Sequence, residues 1–142
     1  MRRLLTAVAA YLLVPAAAAA QRAAAPDDVL GVTRCEGGAA VTKLRSDVRD
    51  TMLVAEIEAH ESVHRRQATA YESCEAFLAT LTSARHIIEA ELPAYCAQWK
   101  VAVAGGADSA VTRREFAWRI AAQSGAMENR LQITQRLEQE CR

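Results

Sequence analysis

Residues 56–64 read Glu-Ile-Glu-Ala-His-Glu-Ser-Val-His, and they lie in a run from Ala39 to Leu81 that contains neither glycine nor proline. On a helix, His60 and His64 stand on one face with a rise of roughly 6 Å between them, so both imidazoles can meet one tetrahedral zinc ion. Glu61, next to the first histidine, is placed to reach a water and act as general base. The chemistry this spacing offers is hydrolysis assisted by a Lewis acid, with zinc as cofactor.

His60-Glu61-Ser62-Val63-His64 is an HExxH segment and resembles the active-site helix of the zincin metallopeptidases. Arg65-Arg66-Gln67-Ala68-Thr69-Ala70 follows it, which excludes the extended metzincin motif with its further glycine and histidine. The gluzincin pattern is closer. There the resemblance implies a third ligand from a glutamate on the next helix, and Glu91-Leu92-Pro93-Ala94-Tyr95 matches it loosely. Glu91 is the first candidate ligand, Glu89 the second and His86 the third. Tyr95 is a candidate oxyanion donor, with a core position as its simpler role. Trp99, Phe116 and Trp118 read as core residues.

The third ligand depends on where the His60 helix stops. If it ends near Tyr71, a reversal centred near Phe77 sets Glu91 opposite His64. If it runs unbroken to Leu81, Glu91 lies roughly 20 Å from His64 along the axis, beyond coordination. Glu72 and Glu75 fail on an unbroken helix for the same reason. The broken form is expected, because without it the motif lacks a third ligand.

The elements around this site follow from punctuation. Residues 21–38, with Pro26, two aspartates and Gly37-Gly38, read as a flexible lead-in with at most one short extended piece near Val29 to Val32. Val48, Met52, Ala55 and Ala59 recur at helical spacing, giving one long helix or two in series. Thr82 or Ser83 can cap a helix running through Ile87, Ile88 and Tyr95 to Gly105-Gly106, with a kink or a late start at Pro93. A last helix is expected from Thr112, in capping-box spacing with Glu115, through Phe116, Ile120, Met127 and Leu131 to Leu137. The fold class is all-α, a small irregular bundle of three to four helices in a single domain over 39–142.

Arg2-Arg3 and the apolar stretch Leu4 to Val14 read as an export signal, with residues 1–20 removed near Ala20 or at the later alanines 23–25. That takes away two of 17 basic side chains and no acid, leaving 15 against 17 acidic and a formal charge of −2. This balance argues against nucleic acid as a partner. The apolar stretch is too short to span a bilayer, so no membrane association is expected after cleavage. Cys35, Cys74, Cys96 and Cys141 fit no CxxC metal site, and in an oxidising compartment they read as two disulfides with the pairing open. A bridge to Cys141 would tie the last helix to the rest. The leading expectation is therefore a periplasmic or secreted zinc metallohydrolase acting on a peptide or protein. A noncatalytic helical domain that binds a partner or oligomerises is the first alternative, and a metal-binding protein without hydrolysis the second.

Overall fold

The computed structural model describes residues 30–142, so the expected signal segment lies outside the described residues. The chain is mostly helical, with one small sheet. Strands β1 (Gly31–Glu36) and β2 (Ala39–Leu44) form an antiparallel hairpin in which Glu36 faces Ala39 and Gly31 faces Leu44. Gly37 and Gly38 both have positive φ, 59° and 83°, as a two-residue type I′ turn requires. This corrects the sequence reading at two places: residues 31–36 are not lead-in, and 39–44 are not helix. Gly-Gly between segments containing Val32-Thr33 and Val41-Thr42 is a hairpin signal, which the absence of breakers after Gly38 masks.

Helix α1 spans Thr51–Ala68. Asp50 caps it, its Oδ1 accepting from the backbone N–H of Met52 at 2.8 Å and of Leu53 at 3.0 Å. Arg65 and Arg66 in its last turn suit the negative end of the helix dipole. No glycine or proline ends it. A new cap at Ser73 starts the short helix α2 (Cys74–Thr80), and Cys74 is held to the hairpin by a disulfide to Cys35 and by its N–H donating to the Gly38 carbonyl at 2.9 Å. Tethered there, the chain departs from the axis of α1 after Ala68.

Ser83 caps α3 (Ala84–Ala104), which continues unbroken through Pro93, without the late start there that the sequence allowed, and stops at Gly105 and Gly106. The following helix starts earlier than expected: α4 (Ser109–Ser124) is capped by Asp108, and the Thr112 hydroxyl donates to the Asp108 carbonyl instead of capping. Glu115 pairs with Arg119. Gly125, in the left-handed conformation with φ 68°, ends α4; a 3₁₀ turn, Met127–Asn129, leads into α5 (Arg130–Glu140). The expected single last helix is thus two, and five α-helices lie among the described residues where three to four were expected.

Two apolar clusters result. The larger joins α3, α4 and α5 around Leu92, Ile120, Ile133 and Leu137, with the Cys96–Cys141 disulfide beside it. The smaller packs Ala68, Phe77 and Ala90 around Cys74, under the hairpin. Trp118 is not a core residue: it is 51% exposed, on the outer face of α4. Phe116 is buried, and Trp99 is half-buried beneath the Arg113 guanidinium. No described helix is long and apolar enough to cross a membrane.

Candidate metal centre

His60, Glu61 and His64 are polar residues buried at 8%, 6% and 8% exposure on the face of α1 that meets α3 and the hairpin. Burial of polar groups demands partners. Across from them α3 presents Glu91, with Oε2 3.3 Å from His60 Nε2 and Oε1 3.5 Å from His64 Nε2. The two Nε2 atoms are 3.1 Å apart. Ligand atoms at zinc distances and tetrahedral angles stand roughly 3.3 Å from each other, so the three side chains, with a different Glu91 oxygen toward each ring, are close enough to share one metal ion.

The donor set fits a metal on chemical grounds as well. His60, His64 and Glu91 are the two-imidazole, one-carboxylate combination with a fourth position open, and one ligand atom from each lies within 4.8 Å of the others. Glu91 Oε2 is buried and has no hydrogen-bond partner among the described residues. A cation between the three side chains would meet that oxygen and the converging lone pairs of the rings.

Electrostatics tie the three groups together. Burial alone would raise the Glu91 carboxyl, but its contacts with His60 and His64 and their positive charge bring it down to about 2. Burial would lower His64, yet the contact with Glu91, its charge, and a bond to Gln67 lift the imidazole to about 9.

Glu61 makes no hydrogen bond to the histidines or to Glu91, though its charge acts on His64. The Thr33 hydroxyl on β1 donates to its Oε2 at 2.6 Å, leaving Oε1 without a hydrogen-bond partner among the described residues. Gly31, two residues before Thr33, permits the close approach: a Cβ there would stand 2.3 Å from the Ile57 side chain. On the other strand, the Arg65 guanidinium bonds to Thr42 and Glu58. Around α1 the order is His60, His64, Glu61, Arg65, so β1 stands between β2 and the histidines.

The remaining candidates lie elsewhere. Glu89, three residues after His86 and two before Glu91, is half-exposed and bonds bidentately to Arg136 on α5 at 2.6 and 3.1 Å. His86 is exposed in the first turn of α3, its N–H capped by Ser83. Neither joins the His60 group. The Tyr95 ring packs edge-on against His60, centroids 4.5 Å apart, and against Phe116. Its hydroxyl lies 3.5 Å from Gln123 on α4, so the group is turned into the core. Burial foremost, then the charge of Glu91, hold it protonated. The four cysteines form two disulfides, Cys35–Cys74 and Cys96–Cys141.

Two contributors escaped the sequence reading. Thr33 falls in the stretch that reads as lead-in, where no local spacing brings it near Glu61. Gln67 falls in the stretch that excludes the metzincin extension, yet it stands seven residues after His60 and hence on the ligand face, which is the signal that marks it. No protein-family model matches this chain, and neither a curated protein nor a solved structure does.

Proposed function

We propose that this chain is an exported zinc-dependent metallohydrolase, most simply a peptidase, with His60, His64 and Glu91 as zinc ligands and Glu61 as general base. The carrying observation is the convergence of two Nε2 atoms and a carboxylate at separations of 3.1 to 3.5 Å, with a second, separately anchored carboxylate beside them. When bound, zinc supplies Lewis acidity that polarises a scissile carbonyl and acidifies water. Glu61 then takes the proton from the attacking water on Oε1, while Thr33 holds Oε2 and fixes the carboxylate plane. The two disulfides, together with the export signal read in the sequence, support an oxidising compartment, periplasmic or extracellular.

The hairpin supports a peptide as substrate. Arg45 N–H donates to the Leu30 carbonyl, which makes 30 and 45 a hydrogen-bonded pair and sets the alternation along the ladder. Val32, Arg34 and Glu36 therefore bond to β2, whereas the backbone groups of Gly31, Thr33 and Cys35 point outward and have no backbone partner among the described residues. An extended peptide adding to that edge passes on the histidine side of the hairpin, at the level of Glu61. The burial of His60 and His64 favours a second reading, a protein that holds zinc without hydrolysis.

One set of measurements separates them. The untagged chain should bind one zinc per molecule and cleave members of a broad peptide library. Glu61→Gln should keep the metal and lose cleavage by about 10²- to 10⁴-fold, and His64→Ala should lose the metal. Zinc binding with no cleavage, and Glu61→Gln indistinguishable from the parent, would decide for the second reading; no zinc in the parent would remove both.

A further inference from the structure

His64 and His60 are oriented by different means. His60 Nδ1 is buried and has no hydrogen-bond partner among the described residues, so its ring is set by packing against Tyr95 and His64. His64 Nδ1, by contrast, lies 2.8 Å from Gln67 Oε1, and Gln67 Nε2 donates to the Ala90 carbonyl at 2.9 Å. Each link in this chain forces the next. A backbone carbonyl only accepts, so the amide nitrogen of Gln67 must face Ala90. Its carbonyl oxygen, which also only accepts, must then face the ring, and His64 Nδ1 must carry a hydrogen. In the neutral imidazole this leaves the lone pair on Nε2, aimed at the space shared with His60 and Glu91. Turning the amide over would set oxygen against the Ala90 oxygen and N–H against N–H.

We propose that Gln67 is a positioning residue for the zinc site: it fixes the His64 tautomer that ligates through Nε2 and sets the register between the two ligand-bearing helices. The second role follows from its partner. Ala90 immediately precedes Glu91, so one side chain ties the His64 ring on α1 to the backbone that carries the third ligand on α3. Pro93, which has no N–H, interrupts the α3 hydrogen-bond ladder near this point. The Gln67 bond adds a fixed contact where the helix itself is weakest.

The inference rests on the zinc reading, and the two can fail separately. Zinc affinity of the full chain is measured by competition with a chromophoric chelator for the parent, Gln67→Ala and Gln67→Glu. Stability of the metal-free proteins and ¹⁵N NMR of the histidine rings are recorded alongside. Gln67→Ala should bind zinc about 10- to 100-fold more weakly. Gln67→Glu keeps an acceptor for His64 Nδ1–H but opposes the Ala90 carbonyl with another acceptor, so it should retain affinity while lowering the unfolding midpoint of the metal-free protein. A residue acting through folding alone would instead lower stability in both variants and leave affinity unmoved. The inference is overturned if Gln67→Ala binds zinc as tightly as the parent, or if parental His64 carries its hydrogen on Nε2 and meets zinc through Nδ1. Should Gln67→Ala not fold, the parental ring NMR and Gln67→Glu still decide; should the parent bind no zinc, the metal reading falls and this inference with it.

Discussion

The two faces of α3 meet opposite kinds of interior. Toward α4 and α5 it meets an apolar cluster in which Leu92, Ile120 and Ile133 are 0–1% exposed and hydrogen bonds between side chains are few. Toward α1 and the hairpin it meets His60, Glu61 and His64, polar groups only 6–8% exposed, and the half-buried Gln67. The first interior is stable because its surfaces left water. In the second, ionisable groups have been drawn together against their desolvation, leaving Glu91 Oε2 and His60 Nδ1 unsatisfied. A chain under selection for stability alone has no reason to build the second interior. This contrast is what places the proposed metal site on one face of the α1–α3 pair, with the apolar bundle on the other.

Perturbing each interior should therefore give opposite signatures. Ile133→Ala, in the apolar cluster, should lose about 2–5 kcal/mol of stability, read by chemical denaturation, with zinc affinity unchanged; a matching loss of affinity would mean that the two interiors are one unit. Zinc at a hundredfold excess over its Kd should raise parental stability by about 2.7 kcal/mol, and chelation should remove the gain. His64→Ala should show no such gain, whereas Ile133→Ala should show it in full. Thr33→Val, which keeps the shape and deletes the hydroxyl bonded to Glu61, should lower kcat about tenfold, corresponding to a lost charge-assisted bond, and spare zinc affinity. If it lowered affinity instead, the hairpin would be shaping the ligands and not the base.

The smallest effect belongs to Glu89→Gln. The bond to Arg136 holds the Glu89 carboxyl below its ordinary value of 4.5, against a slight upward push from burial. A depressed carboxyl contributes stability above the unfolded value and loses it as pH falls through the lower folded value. Because the pair is exposed, the loss on substitution should be below about 1 kcal/mol at neutral pH and should vanish in acid, with zinc binding untouched. A large effect on zinc would return Glu89 to the ligand set.

Much of the local structure was legible. His60 and His64 needed only a helix, Ser83 and Gly105-Gly106 bracket α3, and the broken path after α1 followed from requiring a third donor. The hairpin was not legible, because Gly37-Gly38 served equally as the end of a lead-in. Nor was the division at Gly125, since apolar residues continue at helical spacing from Phe116 to Leu137 on both sides of it.

Residue identity and spacing alone determined that two imidazoles and a glutamate share one helical surface, since a helix of fixed pitch leaves no freedom in that arrangement. Only tertiary structure decided which acid joins them. Glu89 and Glu91 are two residues apart on α3, and the choice between them turns on how α3 is rotated against α1. That rotation comes from packing of Leu92 and Ala90, from the Gln67 bond and from the Cys35–Cys74 tether that makes the chain turn after Ala68. These are contacts between residues 23 to 39 positions apart, whose energies depend on distances that local spacing does not contain.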